Sequence, residues 1–341
     1  MPFSRQPSFW DSLPRPFTVL APMEDVTDTV FRTLVARRAV PHVFMSEFIY
    51  VPELFHKKRA FARHRALIDP IEKETLAGLA QPGARLVAQI WGNDPESYAP
   101  AIARLRAEGF EGIDLNMGCP ADKVVRRGEG SGLIDRPALA AELLQAAREA
   151  AGPLPVSIKT RLGVKASKIE EWAGFLLEQN LPALTVHGRI AAQKSDGFAD
   201  WNAIEFVREL RDQRGVSTRI VGNGDLFSTD DLDARFAQTG VDGLMVGRGI
   251  FRDLDIFDPR RPHTSFEEAP WAERREVLTW QVREFQRVWS GKKGYNGLKA
   301  FFKISTRGPE IYLDLRDKLF RTASADEALA LISSWDPKFE V

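Results

Sequence analysis

Short apolar segments alternate with amphipathic stretches eight times along this chain of 341 residues. Apolar runs rich in β-branched residues predict strands, and the longer amphipathic stretches between them predict helices. The predicted strands are 17–21, 43–46, 86–90, 112–116, 155–160, 183–187, 219–223 and 242–246. The predicted helices are 28–37, 96–108, 137–151, 168–179, 202–213 and 228–238, with one more near 54–64.

This alternation predicts the α/β class. Eight strand–helix units over roughly 240 residues fit a (β/α)8 TIM barrel, which typically needs about 250 residues. A doubly wound open sheet would show the same alternation. No Gly-rich dinucleotide-binding fingerprint follows the first predicted strand, so the TIM barrel is favoured.

The pattern changes after Arg252, where no further strand is predicted. Segment 258–263 is typical of a linker, and a small all-helical C-terminal domain follows. Its predicted helices are 268–290, 293–305, 310–319 and 324–335. The predicted domains are therefore a barrel over 1–258 and a helical domain over 263–341.

The helical domain is locally basic. Between residues 283 and 321 there are ten Lys or Arg and four Asp or Glu, a net charge of +6. Such an excess indicates a phosphate-binding face, although a solvated helix surface would look similar.

The amino-acid composition argues against several classes of protein. The 47 Lys and Arg balance 47 Asp and Glu, which argues against a chain that is basic throughout. Cys119 is the only cysteine, so an intramolecular disulfide is excluded and a reducing compartment is natural. No apolar run is long enough to cross a bilayer, and the N-terminus lacks the apolar core of a signal peptide. We therefore expect a cytoplasmic protein that does not associate with membranes.

Polar or charged side chains follow almost every predicted strand. Because barrel enzymes build their sites at the C-terminal ends of the strands, these residues are candidates for a site. Singly, each has a structural explanation: His187 fits a hydrogen-bonded core histidine, and Lys159 a surface lysine. Burying so many polar and charged side chains together costs free energy unless they pair with one another or bind a ligand. They are Glu24, Gln89, Asn116, Cys119, Lys159, Arg161, His187, Arg189, Asn223, Asp225 and Arg248.

The last two strand ends are rich in glycine, at Gly222-Asn223-Gly224-Asp225 and Gly247-Arg248-Gly249. In barrels, phosphate commonly binds at the loops after strands seven and eight, and Arg248 adds a bidentate donor. We therefore expect a phosphorylated ligand over the barrel mouth. Lys159 would suit a flavin, because a cation stabilises the anionic reduced ring.

Cys119 follows the fourth predicted strand directly, in Asn116-Met117-Gly118-Cys119-Pro120. A thiol on such a turn can donate a proton or attack an electrophile. The alternative is an inert buried cysteine, since free cysteine is among the most buried residue types.

Six segments in order resemble the tRNA-dihydrouridine synthases, and the resemblance extends over residues 17–255 and the helical tail. The segments are Ala21-Pro22-Met23-Glu24-Asp25-Val26-Thr27-Asp28, Asp114-Leu115-Asn116-Met117-Gly118-Cys119-Pro120, Lys159-Thr160-Arg161, Val186-His187-Gly188-Arg189, Gly222-Asn223-Gly224 and Val246-Gly247-Arg248-Gly249.

The resemblance implies an FMN-dependent barrel enzyme that saturates the C5–C6 bond of a uridine in tRNA, with NADPH or NADH as reductant. Cys119 would be the general acid, and Asn116 and Arg161 would hold the uracil. The helical tail would grip the tRNA, and we expect a monomer without a metal site. FMN would be held by Pro22, Met23, Glu24, Gln89, Lys159, His187, Asn223, Gly224, Asp225, Gly247 and Arg248.

Five basic residues are candidates for contacts to tRNA phosphates. Lys299 and Lys303 lie one helical turn apart in the tail. Lys123, Arg126 and Arg127 lie in the loop after Cys119, which we expect to close over the site. A plain solvated loop would carry the same charges.

The chain departs from the family at one point. Many members have a tyrosine between a glutamine and an Ala-Asp-Trp, whereas residues 193–198 here contain none. The motifs do not specify which uridine of the tRNA is modified.

Two other functions fit parts of the pattern. An FMN barrel similar to dihydroorotate dehydrogenases would act on a free pyrimidine, but the basic tail argues against it. A non-catalytic RNA-binding protein would have no reason to combine Cys119, Lys159 and His187.

Overall fold

The computed structural model describes residues 7–55, 65–78, 83–258, 260 and 266–336. Within these ranges, parallel strands form one sheet around a central axis. They are Phe17–Leu20 (β1), Val43–Met45 (β2), Ile49–Tyr50 (β3), Arg85–Trp91 (β4), Gly112–Met117 (β5), Val156–Arg161 (β6), Ala183–His187 (β7), Arg219–Asn223 (β8) and Gly243–Val246 (β9).

The sheet closes because β1 pairs with both β2 and β9. β2 pairs with β4, and each later strand pairs with the next in sequence order. The result is a closed eight-stranded parallel barrel, and the TIM-barrel prediction is confirmed. The additional strand β3 pairs only with the last two residues of β4. Sequence analysis missed β3 because two residues are too few to show a period.

Side chains alternate across the barrel wall, as the period of a strand requires. On β4, Val87 belongs to the cluster inside the barrel, whereas Leu86, Ala88 and Ile90 belong to the layer beneath the helices. The odd-numbered residues of β4 therefore point into the barrel.

Apolar side chains fill the barrel at the end where the strands begin. Trp10, from the helix Phe9–Ser12, packs against Phe17 at the start of β1, with ring centroids 5.7 Å apart. Because this end is packed with apolar groups, the polar residues that follow the strands lie around the opposite end, the mouth.

Helices surround the barrel, and all six predicted between residues 28 and 238 are confirmed. Asp28 caps the first of them by accepting a hydrogen bond from the backbone N–H of Phe31. The helix predicted near 54–64 lies mostly outside the described residues. The helices are Thr29–Arg38, Pro70–Ala77, Tyr98–Glu108, Asp122–Arg126, Pro137–Ala151, Ile169–Glu178, Trp201–Gln213 and Thr229–Thr239.

The four helices predicted after the barrel are present, whereas most of the predicted linker 258–263 lies outside the described residues. Val30, on the helix Thr29–Arg38, packs into the apolar cluster of these tail helices. The tail helices are Trp271–Trp289, Asn296–Ser305, Ile311–Arg321 and Ala325–Ser334.

Ion pairs also join the tail to the barrel. Lys293 lies 3.0 Å from the carboxylate of Asp28 and 3.7 Å from that of Glu47, and all three side chains are largely buried. Arg287 lies 2.6 Å from Asp69. Part of the positive charge predicted to face phosphate is therefore used at this interface.

None of the helices described above combines the length and apolar character that crossing a bilayer requires. Likewise, no three His, Cys, Asp or Glu side chains within the described ranges are placed to hold a metal ion.

Candidate active site

A cleft opens at the mouth of the barrel, where the strands end. Nearly all the predicted catalytic, cofactor and substrate residues line it, although they come from seven different strand ends. They are Pro22, Met23, Gln89, Asn116, Cys119, Lys159, Arg161, His187, Asn223, Gly224, Asp225, Gly247 and Arg248.

Glu24 is the exception among these predictions. Its side chain is half exposed and pairs with Arg65 at 2.8 Å, outside the cleft lining. The predicted tRNA contacts lie further out: Lys123, Arg126 and Arg127 are exposed on or just after the helix Asp122–Arg126.

Asn116 shapes the turn that carries the thiol. Its side-chain oxygen accepts hydrogen bonds from the backbone N–H groups of Gly118 (3.0 Å) and Cys119 (2.8 Å), an Asx-type arrangement. Its amide nitrogen donates to Gln89 Oε1 at 2.9 Å. Asn116 therefore positions the Cys119 turn and also lines the cleft, and its expected contact with uracil stays a prediction.

A buried chain of hydrogen bonds supports Gln89 in turn. Gln89 Nε2 donates to one oxygen of Asp114 (2.7 Å), and Ser157 Oγ donates to the other (2.6 Å). Burial raises the pKa of Asp114 to about 6, opposed by these two hydrogen bonds and by Lys159. Asp114 therefore holds the side chain of Gln89, which lines the cleft, in place.

The thiol of Cys119 is kept protonated. Burial raises its pKa above the ordinary value and outweighs the opposing effects of a backbone hydrogen bond and of Arg161 and Lys159. The carbonyl oxygen of Cys119 accepts hydrogen bonds from the backbone and hydroxyl of Ser131 at 3.1 and 2.9 Å. At neutral pH the thiol therefore carries its proton and is not a thiolate nucleophile.

Lys159 projects from β6 into the cleft and makes no hydrogen bond or ion pair with any described residue. Burial, followed by repulsion from Arg161, lowers its pKa to about 8. The side chain is partly buried, and a partly desolvated cation without a partner costs free energy, so this position favours an anionic ligand.

His187 is uncharged. Burial and then the nearby charges of Lys159, Arg161, Arg189 and Arg248 lower its pKa far below the usual range. Its Nε2 lies 3.2 Å from Arg189 Nη1, which can only donate, so Nε2 is the acceptor. The proton of the neutral ring is then on Nδ1, which leaves that nitrogen as a donor.

Arg189, a strand-end candidate to which the sequence analysis assigned no role, connects several parts of the cleft wall. Only 1% of it is exposed, and it donates to both carboxylate oxygens of Asp225 (2.8 and 2.6 Å). Asp225 also accepts from the backbone N–H of Ala199 at 2.7 Å. Burial would raise the pKa of Asp225, but these contacts lower it overall. The signal for Arg189 was its place in Val186-His187-Gly188-Arg189.

Arg161 holds the loops together. Its Nε donates to the carbonyl of Gly118 (2.8 Å), and its Nη1 donates to the carbonyls of Ile190 (3.1 Å) and Lys194 (2.9 Å). It therefore joins the Cys119 turn to the loop after β7 while still lining the cleft.

Gly224 has φ +131°, which an L side chain rarely adopts. A Cβ there would lie 2.5 Å from the Ala199 Cβ and 3.3 Å from the His187 ring. The absence of a side chain therefore lets the backbone after β8 pack closely against Ala199 and His187 while Gly224 lines the cleft.

Comparisons with known proteins agree with this architecture. A family model described as dihydrouridine synthase (Dus) matches residues 19–329. The chain belongs to the dihydrouridine synthase family.

Two relatives show the extent of the likeness. A protein named "Probable tRNA-dihydrouridine synthase" from Staphylococcus aureus (strain COL) is 38% identical over 338 residues, covering 98% of this chain and 97% of its own. A "Probable tRNA-dihydrouridine synthase 2" from Bacillus subtilis (strain 168) is 38% identical over 337 residues, covering 97% and 98%.

Solved structures share only the fold. Histamine dehydrogenase from Rhizobium sp. 4-9 matches with TM-score 0.54 and 14% identity, covering 78% of this chain and 48% of its own. An old yellow enzyme homologue from Zymomonas mobilis matches with TM-score 0.51 and 15% identity, covering 77% and 94%.

This dihydrouridine synthase family member lacks the tyrosine expected after His187. In the corresponding loop, Phe198 is 90% exposed and does not line the cleft, whereas Ser195 does. Phe198 is therefore not a structural replacement for that ring in this conformation.

Proposed function

We propose that this chain reduces a uridine in tRNA to dihydrouridine, using FMN as cofactor and NADPH as reductant. The observation that carries the proposal is a protonated thiol, Cys119, in the same cleft as Lys159, a cation without a partner. Membership of the dihydrouridine synthase family and the names of the relatives support the same reaction.

The donors of the cleft fit FMN. Lys159 lacks a partner and suits the anionic reduced ring, and neutral His187 has a free donor nitrogen. The backbone at Gly224 and the half-exposed guanidinium of Arg248 suit the phosphate. We assign the holding of FMN to these residues together with Gln89, Pro22, Met23, Asn223, Asp225 and Gly247.

When bound, FMN would provide the hydride that C6 of the uracil ring accepts, with NADPH as the source of the electrons. Cys119 supplies the proton that reaches C5, so the double bond becomes saturated. Because the pKa of Cys119 is raised, its proton remains on sulfur until it is transferred to C5. Lys159 and Arg161 stabilise the thiolate that forms, since both lower the pKa of the thiol. Asn116 and Arg161 keep the sulfur in place through the Cys119 turn.

The tail is proposed to bind the tRNA, but with fewer free charges than the sequence predicts. Lys299 donates to the Phe320 carbonyl at 2.9 Å and therefore also stabilises the end of its neighbouring helix. Lys303 is exposed over the Phe320 ring and remains available to phosphate.

The deciding experiment incubates purified holoprotein and NADPH with unmodified tRNA and, separately, with free uridine and uracil. We expect dihydrouridine to form in tRNA, and we expect neither free uridine nor uracil to be reduced. Denaturation of the protein should release FMN. Turnover of the free pyrimidines with tRNA left unchanged would favour a small-molecule oxidoreductase. A protein that neither carries nor takes up FMN would refute the cofactor assignment.

A further inference from the structure

Two aromatic side chains stand above the cleft, at the rim of the barrel mouth. Tyr50 and Trp91 are paired across β3 and β4, and their ring centroids are 4.5 Å apart with an interplanar angle of 37°. Since the odd-numbered residues of β4 point into the barrel, Trp91 lies on the same face as Gln89. It stands one side-chain layer nearer to solvent than Gln89, which lines the cleft.

A guanidinium completes the group. Arg127 lies 5.5 Å from the Tyr50 ring centroid and 5.7 Å from that of Trp91, and half of its side chain is exposed. Glu129, which is buried, accepts from Arg127 Nε at 2.8 Å and from the Tyr50 hydroxyl at 3.3 Å. One buried carboxylate therefore fixes both the arginine and the tyrosine.

The group is connected to the thiol through the next two residues. Gly130 has φ +55°, and a Cβ there would lie 2.9 Å from the carbonyl oxygen of Cys119. Ser131 donates two hydrogen bonds to that same oxygen. Residues 129–131 lie between the aromatic pair and Cys119. This short, closely packed segment therefore sets the distance from Tyr50 and Trp91 to the thiol.

Packing alone does not account for these residues. Tyr50 and Trp91 are only partly buried. A partly buried aromatic pair beside a half-exposed arginine suits the faces of nucleobases, which stack on both kinds of side chain.

We propose that Tyr50, Trp91 and Arg127 form a stacking site for a nucleotide next to the reduced uridine. This rests on the proposed function, because it assumes that an RNA strand enters the cleft. The aromatic pair takes the base, and Arg127 takes the base or its phosphate. The site would hold the strand while the uridine is turned out into the cleft.

The test compares Trp91→Ala and Trp91→Phe with a matched control, Phe175→Ala. Phe175 is a partly buried ring stacked on Trp172 at 5.4 Å, on the helix Ile169–Glu178 outside the barrel. The Kd for an unmodified tRNA transcript is measured at fixed salt. We expect Trp91→Ala to raise Kd about tenfold, within the range of base–aromatic stacking. Trp91→Phe should retain most of the affinity, and Phe175→Ala should stay within twofold of wild type.

A second experiment identifies which neighbour of the reduced uridine stacks on the aromatic pair. The tRNA is prepared with an abasic residue on the 5′ or the 3′ side of the uridine that wild type reduces. We expect the Trp91→Ala penalty to disappear with one of these tRNAs. An unchanged Kd for Trp91→Ala, or a penalty that persists with both abasic tRNAs, would overturn the stacking site while leaving the proposed function intact. A wild-type protein that neither binds nor reduces tRNA would overturn both.

Discussion

Replacing Lys159 by Met should make the apoprotein more stable although it removes a residue that we propose to bind FMN. The wild-type ammonium lies in the cleft without a partner on a partly buried side chain, and folding lowers its pKa from 10.5 to about 8. At about 1.4 kcal/mol per pKa unit, this shift corresponds to about 3 kcal/mol of native-state destabilisation. Water in the open cleft screens part of it, so we expect a gain of about 1–3 kcal/mol for the variant.

The pH dependence gives the sign of the effect. Below pH 8 the lysine is protonated in both the folded and unfolded states, so the full cost is present. Between about pH 8 and pH 10.5 the unfolded state binds the proton more than the native state does. The stability of the wild type therefore rises relative to Lys159→Met across that window, and the advantage of the variant vanishes at its upper end.

The assay is urea unfolding of the apoprotein at pH 7 and pH 10, followed by far-ultraviolet circular dichroism. Lys165→Met serves as control, because Lys165 is exposed on the loop after β6 and its loss should change the free energy of unfolding by less than about 0.5 kcal/mol. A Lys159→Met protein that is less stable than wild type at pH 7, or whose advantage is the same at pH 10, would refute the reasoning.

Three further outcomes are expected. Cys119→Ala should slow dihydrouridine formation in tRNA by about 10²–10⁴-fold while NADPH still reduces the flavin; an unchanged rate would assign the proton to another group. Gly224→Ala, whose methyl group would collide with Ala199, should weaken FMN binding in a fluorescence titration, and full affinity would contradict close approach there. Lys303→Glu should lower the salt slope of tRNA binding by about one contact, ~0.7–0.9, whereas Lys299→Met should mainly lower the melting temperature; equal slopes in both variants and wild type would place the RNA elsewhere.

The barrel could be predicted because its strands are buried on both faces and therefore stand out as apolar runs separated by helices. Helix starts were also accurate where a side chain caps them, as Asp28 does. β3 could not be predicted, since its two residues are defined only by their partners Ile90 and Trp91 on β4. Its existence depends on tertiary pairing rather than on local pattern.

The residues that line the cleft could be predicted from the sequence, whereas the contacts that they make with one another could not. Polar groups at strand ends must converge at the mouth of a barrel, so nearly all the predicted members line one cleft. Asn116 and Arg161, however, bond mainly to backbone groups of the loops around Cys119. Arg189 proved to be the buried partner of Asp225. Such assignments depend on distances between loops, which spacing along the chain does not determine.

The ion pair between Lys293 and the barrel has a consequence for exchanging parts between relatives. A barrel that ends near residue 258 would retain Asp28 and Glu47 without their ammonium partner and would expose Val30 to water. Breaking a buried pair on one side typically costs about 3–5 kcal/mol, a large share of the stability of a domain. A tail transplanted from another member would therefore have to present a cation to Asp28 and Glu47 and an apolar surface to Val30.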